Sequence, residues 1–124
     1  MKTINTTDAT ETQLDWLVAK CEGKNGVLHD DGITRCIVIA AASGVYKGTY
    51  KPTVNWAQGG PIIDRLGMGF LVNHNEHCPS GFRVIAFASG LHFGLAGPNH
   101  LVAAKRCYVA SKLGDTVEVP EELA

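Results

Sequence analysis

The stretch "NWAQGGPII" at 55–63 sets an indole, two carboxamides, two adjacent glycines and a proline side by side. These are residue types that hold a ligand rather than transform one. Trp56 offers a face on which a base or other ring stacks. Asn55 and Gln58 pair with polar edges through their amide donors and acceptors. Gly59 and Gly60 let backbone N–H groups approach an anion closely, as glycine-rich nests do. Tyr50 lies just upstream in the same long segment, which is rich in glycine and aromatic residues. Long irregular segments in small folds are often functional. The competing reading is a tight turn, in which the glycines supply permissive dihedrals and Pro61 begins a helical turn.

A second candidate is the start of the last helical stretch. There the free N–H groups of Asn99, His100 and Leu101 would form an anion-binding end, against the plainer reading of helix initiation at Pro98. Arg106 and Tyr108 follow on the same helix. Spacing places Lys105 and Lys112 together on a solvent face and turns Arg106 about 100° away from them. A guanidinium on such a flank takes an anionic partner. That partner is either a ligand phosphate or carboxylate, or one of Asp15, Asp64 and Glu118.

Other polar clusters are weaker. His74, Glu76, His77 and Cys78 are zinc-ligand types, but their spacing matches no pair of ligand knuckles. No metal and no cofactor are expected. His29 with Asp30 and Asp31 reads as a polar turn. Nucleophile elbows, metalloprotease helices, P-loops and dinucleotide fingerprints are missing, so no catalytic residue is assigned. His92 or His100 would serve as a base only if the fold brought a nucleophile to it.

The elements that must position these residues are readable. The chain has 124 residues, 45% hydrophobic and 19% charged, with a net charge of -1. Those figures describe one soluble domain and argue against a nucleic-acid binder, which normally carries a basic excess. The polar start, residues 1 to about 11, reads as a flexible arm without a secretory signal. "CIVIAAA" is too short to cross a bilayer. Cys21, Cys36, Cys78 and Cys107 form no C-x-x-C pair and read as reduced thiols, most of them buried.

Thr12, with Asp15 three residues on, predicts a helix N-cap, and Gly23 predicts the stop. Leu14, Leu17, Val18 and Cys21 share one face. Trp16 falls with Lys20 on the other, and an outward indole there predicts an interface, most simply of a homodimer. "KNGVLHDDG" suggests a hairpin. Strands are predicted within 33–42, 68–73 and 82–89, with a short one before Pro120. "PIIDRLG" reads as a short helical turn, and a second helix runs from Pro98 to Gly114. The expected class is α+β: a small, mostly antiparallel sheet of three to five strands packed against two helices.

Three blocks, "LDWLVAKCEG" at 14–23, "YKPTVNWAQGGPIIDR" at 50–65 and "GPNHLVAAKRCYVASKLGDTVEVPEEL" at 97–123, resemble the phage NinX-like family. The resemblance covers about half the chain. It implies a phage origin and a role inside the infected cell, in the host cytoplasm, and supplies no catalytic residue. The favoured expectation is a non-catalytic protein that sequesters a small anionic, nucleotide-like host signalling molecule. Its pocket would combine Trp56, Gln58, the glycine pair and Arg106. The alternatives are an inhibitor or adaptor acting on a host protein through an aromatic surface around Trp16, and a small phosphodiesterase-like enzyme.

Overall fold

The computed structural model describes residues 1–41, 46–73, 77, 79, 83–88 and 94–124. His74, Glu76, Cys78 and His92 lie outside the described residues. The chain is α+β, as expected, with antiparallel strands throughout the described sheets. The strands divide among three small sheets rather than one, and the described residues hold three helices rather than two.

The segment read as a polar arm begins with strand β1, Lys2–Asn5, which pairs with β8, Thr116–Val119, near the other end of the chain. Thr6 then donates its hydroxyl to the Gly114 carbonyl at 2.7 Å. Helix α1 spans Glu11–Cys21. Its N-cap is Thr10, not Thr12. The Thr10 hydroxyl accepts from the Gln13 N–H at 3.3 Å, and the Gln13 side chain accepts from the Thr10 N–H at 2.9 Å, a reciprocal capping box. Asp15 is free of capping because it is buried for another purpose.

Strands β2 (Gly26–Asp30), β3 (Arg35–Ala40) and β4 (Tyr46–Thr49) form one meander. Strands β5 (Gly69–Val72), β6 (Val84–Phe87) and β7 (Leu95–Gly97) form another. Helix α3, His100–Leu113, packs on the second meander and against α1, which in turn carries the first. The cap of α3 is Asn99, whose side-chain oxygen accepts from the Val102 N–H at 2.9 Å, so Pro98 precedes the helix instead of opening it.

Helix α3 is wrapped on nearly every side. Val102, Tyr108 and Val109 join the α1 core with Leu14, Leu17 and Val18. Ala103, Cys107 and Ala110 pack under the β5–β7 sheet with Val84, Ala86 and Leu95. Through Ala110 the helix has no solvent face to offer, and only its last residues, Ser111, Lys112 and Leu113, are exposed. Lys105, expected on a solvent face, is 0% exposed.

The third helix, α2, spans Trp56–Leu66 and absorbs the whole "WAQGGPII" stretch. Asn55 caps it, its side-chain oxygen accepting from the Ala57 N–H at 2.9 Å. Gly67, in the left-handed region at φ 59°, ends it. Gly59 is required by a close crossing. A Cβ there would lie 2.2 Å from the Pro52 carbonyl oxygen and 2.9 Å from a Leu101 methyl. Gly60 has no such constraint.

Candidate functional site

Residues 58, 61, 62 and 65 of α2 recur at helical spacing and turn toward the end of α1 and the β3–β4 edge. There they wall a cleft of about 380 Å³. Gln58, Pro61, Ile62 and Arg65 form one side. Glu22 and Lys24, at the exit of α1, Ile39, from β3, and Tyr50, just after β4, form the other.

A charged knot sits at one end. Arg65 donates to both Glu22 oxygens, at 3.1 and 2.8 Å, in a planar fork. Tyr108 donates its hydroxyl to the same carboxylate at 2.6 Å. These bonds hold the Glu22 carboxyl below its ordinary range, with the Arg65 fork as the largest cause. Arg65 is raised in return by the same contact. Burial and the Glu22 bond push the Tyr108 phenol up.

Tyr50 is the informative wall residue. It is only 6% exposed. Burial pushes its phenol up to about 12, with the Glu22 and Asp15 charges adding to the effect. It therefore stays a protonated donor across the physiological range. Its hydroxyl takes no hydrogen bond among the described residues. Only the Arg106 Nε is fully enclosed without a partner among them, so the Tyr50 hydroxyl opens on the cleft. The Lys24 ammonium lies 5.9 Å from the Tyr50 ring centroid and in no ion pair among the described residues.

Behind the cleft lies a buried polar set that seats α2. Asp15 accepts from the Thr53 N–H at 3.1 Å and the Thr53 hydroxyl at 2.8 Å. Burial raises its carboxyl to about 7. Lys105 donates its ammonium to the Gly59 carbonyl at 2.8 Å. Burial lowers it to about 8, against the nearby Asp15 charge, which works to raise it.

The residues singled out in the sequence divide. Tyr50 and Gln58 line the cleft, and Tyr108 braces its carboxylate. Gln58 spends both ends of its amide internally. It accepts from the Lys51 N–H at 2.6 Å and donates to the Thr49 carbonyl at 2.9 Å, tying β4 to α2. Asn55 is a cap. Gly59 serves a crossing, and Gly60 faces the Trp56 ring. Trp56 is 58% exposed on the first turn of α2 and is not among the cleft residues. Asn99 caps α3, and His100 rests its ring 5.0 Å from that of Phe70.

Arg106 does not join the cleft. It donates to the Ala96 carbonyl at 2.9 Å and the Ala9 carbonyl at 3.0 Å, fastening β7 and the entry of α1 to α3. Neither the ligand-fork role nor a bond to Asp15, Asp64 or Glu118 is present. A pocket of Trp56, Gln58, the glycine pair and Arg106 is therefore not assembled. Trp16, expected outward, is half-buried against the α1 core, with the Lys20 ammonium 5.7 Å from its ring centroid.

Sequence reasoning missed Glu22, Lys24 and Arg65 as cleft residues. Glu22 and Arg65 stand 43 positions apart, each at a helix end, and nothing local pairs them. No group of metal-ligand side chains occurs among the described residues. No described helix is long and apolar enough to cross a membrane.

A family model described as Bacteriophage P22, NinX matches residues 5–112. The chain belongs to this family and is a bacteriophage protein. No curated protein matches it.

Proposed function

We propose that this chain is a phage accessory protein that holds a small anionic, nucleotide-like molecule in the Tyr50–Arg65 cleft, sequestering it in the host cytoplasm without turnover. The observation that carries this reading is the Tyr50 hydroxyl, a donor on a buried side chain that has no hydrogen-bond partner among the described residues and opens on the cleft. Buried polar groups in native proteins are nearly always satisfied, by protein, water or ligand.

The rest of the cleft suits such a ligand. About 380 Å³ is at the lower end of the range for small-molecule sites, room for a single nucleotide. Ile39, Pro61 and Ile62 give a ring an apolar bed. Lys24 brings a cation without an ion-paired carboxylate among the described residues, and the Glu22 charge is already matched by Arg65. Holding is favoured over turnover because Glu22, the carboxylate best placed to act as a base, is depressed and held by three hydrogen bonds.

Titration calorimetry with AMP, GMP and inorganic phosphate tests the reading. One of the nucleotides binds, is recovered intact, and binds Tyr50→Phe about fivefold more weakly, in line with one hydrogen bond of roughly 1 kcal/mol. No binding of any probe would sink it. A second reading, an adaptor for a host protein, draws on the exposure of Trp56 at 58% and Val54 at 51%. Under that reading Trp56→Ala abolishes capture of the partner while the cleft variants leave it intact.

A further inference from the structure

A second hollow, of about 320 Å³, lies on the other side of the turn that joins α1 to β2. It is lined by Trp16, Lys20, Lys24, Asn25, Gly26 and the chain start. Two features connect it to the Tyr50 cleft. Lys24 lines both. Gly26, in the hollow, is the direct antiparallel partner of Ile39, in the cleft.

Its chemistry is one-sided. Lys20 and Lys24 line it, and neither is ion-paired among the described residues; the Lys20 ammonium lies by the Trp16 ring and the Lys24 ammonium reaches the Tyr50 side. No carboxylate among the described residues lines it. The N-terminal ammonium is nearby, 3.9 Å from Glu121. The Trp16 indole is anchored at its edge by packing beside Gly26, where a Cβ would sit 3.7 Å from the ring. An indole held in place beside the Lys20 ammonium, with the Lys24 ammonium between it and the Tyr50 cleft, is a stacking platform with an anion site next to it.

We infer that this hollow is a second subsite of the same ligand site, so that the ligand carries two planar rings joined by a phosphodiester. One ring lies in the Tyr50 cleft, the other on Trp16, and the bridging phosphate sits at Lys24. The inference rests on the proposed reading of the cleft and extends it from one nucleotide to two. A free dinucleotide fits better than a stretch of a longer strand. The chain is net acidic at -1, and a strand binder needs a continued basic track beyond these few lysines.

The test uses the full chain carrying Trp56→Phe. Because the protein has two tryptophans, Trp16 then reports alone. Fluorescence titrations compare AMP with the dinucleotide ApA, and GMP with GpG. In at least one pair the dinucleotide binds tenfold or more tighter than the mononucleotide, about 1.4 kcal/mol, and changes the Trp16 emission. Lys20→Gln, a surface change that does not threaten folding, lowers dinucleotide affinity and leaves the mononucleotide unaffected. Mononucleotide binding with no gain from the second unit overturns this inference and leaves the cleft reading standing. Failure of all four probes to bind overturns both. Affinity for oligoadenylates that keeps rising with length beyond two units also overturns it, in favour of a strand-binding surface.

Discussion

Gly59 and Gly60 are adjacent, yet substitution by alanine should move stability in opposite directions. Glycine in a helix interior costs roughly 0.5–1 kcal/mol relative to alanine. At Gly60 that is the whole effect, since an added Cβ meets only Trp56, at an ordinary 3.6 Å. Gly60→Ala should therefore stabilise by up to about 1 kcal/mol, a rise in melting temperature of roughly 2–6 °C for a chain of this size. At Gly59 the same gain is overwhelmed. The Cβ would lie 2.2 Å from the Pro52 carbonyl oxygen, a backbone atom, and within 3.1 Å of the Lys105 ammonium that donates to the Gly59 carbonyl. Overpacking costs about 1–3 kcal/mol even where side chains yield, and here backbone must move. A net loss of about 2 kcal/mol, or roughly 4–12 °C, is expected. Thermal unfolding followed by circular dichroism measures both variants without any ligand. Equal shifts of the same sign would refute the helix-crossing account of α2. So would two unchanged melting temperatures, which a glycine-rich surface loop predicts.

Three further outcomes follow from the buried polar groups and the exposed indole. Arg106→Ala strands the Ala96 and Ala9 carbonyls, so the apo protein should melt earlier by roughly 1–3 kcal/mol while nucleotide affinity stays unchanged. The Asp15 carboxyl is raised to about 7, so the folded state binds its proton more tightly than the unfolded chain. Its contribution is full below about pH 4 and is lost as pH rises through 7, and Asp15→Asn should flatten that limb of the melting-temperature profile. Trp56→Ala should leave cooperative unfolding intact, because the side chain is 58% exposed. Loss of a sharp transition in that variant would show that the indole is a core element.

Much of the fold is legible in the sequence, because hydrophobic spacing reports one buried face at a time. The strands around Ile37, Phe70 and Ile85 and the helix carrying Leu14, Leu17 and Val18 fall where the spacing puts them. Spacing fails for α3, which is buried on several faces at once. Lys105 looks solvent-facing on a helical wheel, and only the presence of α2 above it, with the Gly59 carbonyl as acceptor, buries it. It fails again at "QGGPII", where Gly-Gly-Pro signals a break. The glycine that most resembles a breaker is there because Pro52 and Leu101 occupy the space of its side chain. The cleft was half visible. Tyr50 and Gln58 stand out by type, but Glu22 and Arg65 belong to helix ends that only tertiary packing brings together. Arg106 stands out in the sequence because a flanking guanidinium needs acceptors. Those acceptors are backbone carbonyls, which leave no trace in residue types.

The function turns on whether the Tyr50–Arg65 cleft holds a small anionic molecule. Mass spectrometry of the small molecules carried by the protein from phage-infected cells tests it most directly, run beside a Tyr50→Phe, Lys24→Gln double variant. A phosphorylated, ring-containing compound should be released intact on denaturing the wild-type protein and be strongly depleted from the variant, both proteins melting alike. Equal recovery from the two, or a wild-type protein that carries no such compound at any stage of infection, would contradict it.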